Sequence, residues 1–143
     1  MNVITAPAVD TAYKFGMVQQ NVNNTVYYLA GGMDGHYMAT TDDASKALDV
    51  YLETTEGGYY LYCYVNNVKT YINCVVNGTH VNGAYEATAS TVYTVEESGR
   101  LVTTVNDDLY AFGTRNDKKY TTIGPVAVSY NGFHCYFYGE TNA

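Results

Sequence analysis

The chain has 143 residues, a length that favours one domain, and 47% of them are apolar, enough to build a core. Only 15% are charged, which argues against a disordered chain or a coiled coil; seven basic against fourteen acidic residues give a net charge of −7, which disfavours duplex nucleic acid as a partner. Seventeen Tyr and 13 Gly, with two Pro and no Trp, make a β composition.

Residues 1–12 read as a linker or N-terminal arm, because Thr5-Ala6-Pro7-Ala8 has linker composition. No basic region followed by an apolar run marks a signal peptide, and no window reaches the ~18 apolar residues of a membrane helix, so membrane insertion is not expected. Two locations fit: extracellular or cell-surface, as part of a larger chain, or cytoplasmic. From residue 13 the pattern alternates with period two between turn signals. It predicts strands over 13–19, 26–30, 36–40 and 48–53, then 59–64, 69–73, 80–87 and 91–95. The last four fall at 101–105, 109–113, 120–123 and 133–138. Residues 42–52 hold one turn of helix at most. Gly31-Gly32, Asp34-Gly35, Gly57-Gly58, Asn77-Gly78 and Asn131-Gly132 punctuate the strands. Asn66-Asn67 suits a two-residue hairpin, since Asn tolerates positive φ.

Twelve short strands invite a search for repeats. Tyr51, Tyr93 and Tyr136 align, as do Tyr28, Tyr71 and Tyr110, and each unit opens on an apolar strand around Phe15, Leu61 and Val102. Three four-stranded units of about forty residues imply an all-β fold of the β-trefoil type, a six-stranded barrel capped by three hairpins. The domain spans 13–140, with repeats of about 13–57, 58–98 and 99–140. A β-sandwich is the alternative.

Pairing about Asn66-Asn67 sets Cys63 opposite Thr70 and puts Leu61 and Ile72 on one face. Tyr60, Tyr62, Tyr64 and Tyr71 take the other. Cys63 and Cys74 are then too far apart for a disulfide. With Cys135 they make an odd number, so the expectation is three thiols acting as small buried hydrophobes.

No motif carries catalysis. The pairs Asp42-Asp43, Glu96-Glu97 and Asp107-Asp108 lack calcium-loop spacing and read as solvated turn charge. His36, His80 and His134 fall in different repeats, so no metal site is expected, and Cys135 beside His134 faces away from it on a strand. Gly31-Gly32-Met33-Asp34-Gly35 lacks the Lys and Ser/Thr of a phosphate loop. Arg115-Asn116-Asp117-Lys118-Lys119 is the one basic cluster; it reads first as a soluble turn and, as the alternative, as a contact site for an anion or an acidic partner. Most of the tyrosines fill half-buried sheet positions. Tyr37, Tyr85, Tyr120 and Tyr130 stand next to turns, where a ring can stack on a sugar or enter an interface.

Several runs carry a family resemblance: Ala12-Tyr13-Lys14-Phe15-Gly16-Met17, Tyr28-Leu29-Ala30-Gly31, Asp49-Val50-Tyr51-Leu52-Glu53, Gly57-Gly58-Tyr59-Tyr60-Leu61-Tyr62, Lys69-Thr70-Tyr71-Ile72 and Tyr110-Ala111-Phe112-Gly113-Thr114. Over nearly the whole chain this resembles a poorly characterised domain recurring in large surface or secreted proteins of gut-type bacteria. The motifs are structural and bring no catalytic residue or ligand with them. Ricin-type lectins are similar in fold only, because their Gln-x-Trp motif needs a Trp that this chain lacks. The expected function is therefore a non-enzymatic binding module, with a glycan or protein as ligand, carbohydrate first, and no cofactor. Its candidate site residues are Asp34, His36, Tyr37, Asn77, His80, Lys118, Lys119 and Tyr120. The alternative is a small acidic inhibitor of another protein, such as a nucleic-acid enzyme. Oligomeric state is open.

Overall fold

A computed structural model describes residues 1–19, 23–115, 120–130 and 132–140. Among these the chain is all-β. In order the strands are β1 (Asn2–Ile4), β2 (Lys14–Val18), β3 (Val26–Asp34), β4 (Tyr37–Thr41), β5 (Tyr51–Thr55), β6 (Gly58–Val65), β7 (Val68–Asn77) and β8 (His80–Glu86). There follow β9 (Thr94–Val95), β10 (Leu101–Val105), β11 (Asp108–Arg115), β12 (Gly124–Ala127) and β13 (Gly132–Gly139). The expected helical turn is a 3-10 turn, Ala44–Lys46. Its cap is Asp43, whose Oδ1 accepts from the Ser45 amide at 3.0 Å and hydroxyl at 2.7 Å. Those bonds hold the Asp43 carboxyl below its usual range.

The strands form two antiparallel sheets. One runs β4-β3-β2-β13-β11-β10-β9, with β1 on β13 and β12 on β11; the other runs β5-β6-β7-β8. The expected closed barrel is not present as one continuous ladder, and two sheets are what the β-sandwich alternative calls for. The sheets touch through single bridges, Tyr13 to Val50 and Tyr59 to Tyr93. Side chains replace the ladder nearby. The Asn73 amide oxygen accepts from Ser90 N–H at 3.0 Å, and the Thr91 hydroxyl accepts from Cys74 N–H at 2.9 Å. The second bridge also depends on Gly58, where a Cβ would collide with the Tyr93 carbonyl.

Hairpin chemistry is local. Asn66 and Asn67 take φ of 51° and 64°, and Asn106 and Asp107 take 50° and 68°, the left-handed pairs that tight hairpins need. The first turn fixes the register expected from sequence, with Cys63 opposite Thr70. Gly16 pairs with Tyr28, Tyr62 with Tyr71 and Val102 with Ala111. One position further along each hairpin stand Phe15 and Leu29, Leu61 and Ile72, and Leu101 and Phe112. All six are at most 1% exposed and make one shared core with Met38, Val50, Leu52, Ile123 and Phe137. Burial of such side chains stabilises by about 1.5–3 kcal/mol each.

Two expectations need correction. The strand expected at 120–123 lies at Gly124–Ala127, because backbone groups before it bond elsewhere: Thr40 Oγ1 donates to the Thr121 carbonyl at 2.7 Å, and the Gln19 amide donates to the Tyr120 carbonyl. Tyr93 is one residue out of step with Tyr51 and Tyr136: Tyr51 pairs with Tyr62 and Tyr136 with Gly16, while Thr94 pairs with Val102. A one-residue slip turns a side chain to the other face, so Tyr93 is core while Tyr51 and Tyr136 are half-buried. Residues 1–12 lie against the domain: β1 pairs with β13 (Val3 opposite Tyr138), Asp10 N–H bonds the Leu52 carbonyl at 2.8 Å, and Tyr62 Oη donates to Asp10 at 2.7 Å.

Candidate functional site

Three hairpins converge on one end of the molecule. Met38 and Ile123 exchange backbone hydrogen bonds of 2.8 and 3.1 Å, and Gly83 of β8 packs under Met38. Residues on either side of this junction line a groove of about 550 Å³. His36 and Tyr37 enter it from the β3–β4 turn. Asn77, Thr79, His80 and Asn82 come from the β7–β8 hairpin, Tyr110 and Thr114 from β11, and Tyr120, Thr122 and Tyr130 from either side of β12. Tyr37, Tyr120 and Tyr130 are 55%, 47% and 50% exposed, so each offers ring surface to a ligand. The polar groups among them are amides, hydroxyls and imidazoles. Among the described lining residues there is no Asp, Glu, Lys or Arg.

Of the residues singled out from sequence, His36, Tyr37, Asn77, His80 and Tyr120 meet in this groove. Asp34 does not line it, although it pairs with Tyr37 across the hairpin. Lys118 and Lys119 lie outside the described residues. Tyr85 points inward and packs on the core. Sequence reasoning missed Asn82, Tyr110 and Thr114. Their signal is that they share the hairpins of chosen residues, but only the convergence of β8, β11 and β12 brings them together.

The remaining candidates are spoken for. His134 stands 3.5 Å from Arg100 Nη1, and Arg100 pairs with Glu96 at 2.6 Å. Burial, then the Arg100 charge, lowers the His134 pKa. The three cysteines are free. Burial pushes Cys63 up to about 11 and Cys74 up to about 12, and raises Cys135 well above its usual value, so all three are poor nucleophiles near neutrality. A second hollow of about 490 Å³ runs beside β10. It is lined by Ser, Thr and aliphatic residues with Cys74 and Asn106, and by no aromatic ring among the described residues.

A second aromatic region lies on the outer face of β5–β7. Tyr51 stacks on Tyr62, centroids 5.0 Å apart and planes at 12°, with Tyr64 edge-on to both. Lys69 Nζ sits 4.2 Å over the Tyr62 ring and 2.5 Å from Glu53, which also accepts from Tyr71 Oη at 3.1 Å. These rings and charges are partnered with one another.

The chain matches no protein-family model, no curated protein and no solved structure. No helix among the described residues is long and apolar enough to cross a membrane.

Proposed function

We propose that the chain is a non-enzymatic binding module of a bacterial surface or secreted protein, and that it holds a glycan in the groove where the three hairpins meet. The observation that supports this reading is the combination of three half-exposed tyrosine rings with amide and hydroxyl groups in one concave site. Sugars present apolar C–H faces to rings and hydroxyls to amides, so such a lining is complementary to them. A glycan array followed by titration of the best hit tests it. Tyr37→Ala and Tyr120→Ala are each expected to weaken binding about tenfold. An array without hits, or full binding by both variants, would sink the reading.

We also read the two sheets as an open form of a β-trefoil. Gly16, Tyr62 and Val102 occupy matching places, each flanked by one hairpin partner and one partner from the strand before it or closing the chain. The six core residues beside them repeat in the same order. The second functional reading, a small acidic inhibitor of another protein, draws on the net charge of −7. A salt-sensitive complex with a basic nucleic-acid enzyme would favour it over the glycan reading.

A further inference from the structure

We infer that Asn77 is a site of spontaneous covalent modification, at which the side-chain amide leaves as ammonia and a carboxylate takes its place in the groove. The inference does not depend on what the groove holds. The chain contains Asn-Gly three times, at 77–78, 82–83 and 131–132, and Asn131 lies outside the described residues. Asn77 and Asn82 both line the groove, so the same dipeptide stands there in two backbone settings.

The chemistry needs only water. The Gly78 backbone nitrogen gives its proton to base and attacks Cγ of Asn77. An N–Cγ bond forms, the Cγ–Nδ2 bond breaks, and ammonia departs from a closed imide ring. Water then opens the ring on either side. Breaking the new N–Cγ bond gives Asp; breaking the original peptide bond gives isoAsp, in which the main chain runs through the side chain. Water enters and ammonia leaves, with no oxidation. Glycine favours the attack, because without a Cβ its nitrogen is open to close approach.

Ring closure requires the main chain to turn about the Asn Cα–C bond until that nitrogen reaches Cγ, and the setting decides the cost. Asn77 pairs with His80 as the last rung of the β7–β8 hairpin. Asn77, Gly78 and Thr79 are exposed, Gly78 has a φ of 63°, and the space beside its Cα is open. Turning there loosens one terminal rung, where local opening costs least. Asn82 instead sits inside β8, opposite Val75, and the buried Gly83 after it stands opposite Cys74 and beneath Met38. Turning there breaks pairs on both sides and displaces Met38, which exchanges backbone hydrogen bonds with Ile123. Asn77 therefore reacts and Asn82 is protected. The product makes the groove more acidic, and isoAsp also lengthens the main chain at the hairpin tip.

The test holds the folded full chain in mildly alkaline buffer beside a sample unfolded in urea, and follows Asp and isoAsp at both dipeptides by proteolysis and mass spectrometry. The expected result is conversion at Asn77 at least about tenfold faster than at Asn82 in the folded chain, and similar rates at the two in urea. Asn77→Gln keeps an amide but must close a larger ring, and should abolish conversion at that position. Equal rates at the two positions in the folded chain, or an Asn77 that reacts in urea but not in the folded chain, would overturn the inference.

Discussion

Two tyrosine-rich regions of this protein use the same residue type in opposite ways. On the outer face of β5–β7 the rings contact one another: Tyr51 stacks on Tyr62, Tyr64 and Tyr71 pack against Tyr62, and Lys69 covers it, although Tyr64 keeps 47% of its surface exposed. Their hydroxyls are engaged too, Tyr62 with Asp10 and Tyr71 with Glu53. In the groove, Tyr37 and Tyr120 are about half exposed and take part in no ring contact among the described residues. A tyrosine on a regular ladder finds cross-strand neighbours about 5 Å away and pairs with them. One placed beside a turn has neighbours on one side only, and keeps a face for something else. Tyrosine count therefore does not tell how open a ring is; its placement relative to the ladder and its neighbours must be read as well.

The contrast can be broken by exchanging the roles of stability and binding. Tyr62→Ala should cost about 3 kcal/mol, read from a urea midpoint, because it removes a ring only 5% exposed and leaves a cavity. Glycan binding should survive in the fraction that folds. Tyr37→Ala and Tyr120→Ala should do the reverse, with stability held within about 0.5 kcal/mol and binding weakened. If Tyr37→Ala destabilises as much as Tyr62→Ala, the groove tyrosines are structural and the comparison fails. Gly113→Ala links the two effects. It lines the groove, and its Cβ would collide with the Phe133 carbonyl across the β11–β13 pairing. The expected cost is about 1–3 kcal/mol, with binding weakened as β11 shifts.

How far these regions were legible in the sequence follows the range of the interactions that make them. The outer tyrosine face could be read because Asn66-Asn67 sets the register locally and alternation does the rest. The inward position of Tyr93 could not, since the one-residue slip is set by long-range pairing, Leu101 with Val95 and Tyr59 with Tyr93, and leaves the spacing of the tyrosines unchanged. The strand character of β1 is not visible in residues 1–12 alone, because its partner is β13, with Val3 opposite Tyr138 at the far end of the chain. The Thr-rich stretch before β12 reads as a strand, yet its carbonyls are taken by side chains, including that of Gln19, about a hundred residues earlier. In the groove, turn-adjacent aromatics and polar residues were visible one hairpin at a time. Which hairpins meet depends on the Met38–Ile123 bridge, which leaves no mark in either local sequence.

A smaller effect sharpens the outer-face region itself. Lys69→Met keeps the stem but removes the charge over Tyr62 and the pair with Glu53. Both interactions are partly exposed, so the loss should be about 0.5–1 kcal/mol and should shrink in high salt. A loss above Tyr62→Ala would mean that the charge, not the rings, organises that face.

The mildest test uses acid and lies outside both regions. The His134 pKa is lowered, first by burial and then by Arg100, with Glu96 opposing, and its Nδ1 is buried with no hydrogen-bond partner among the described residues. Folding therefore favours the neutral imidazole. Below the ordinary histidine pKa of about 6.5 the unfolded chain takes up a proton that the folded chain resists, so stability present above that pH declines as pH falls through the lowered folded value. His134→Leu should flatten that decline in a series of urea midpoints and leave glycan affinity unchanged. An equally steep decline in the variant would move the acid sensitivity to the carboxylates, with Glu96 and its ion pair to Arg100 the next group to replace.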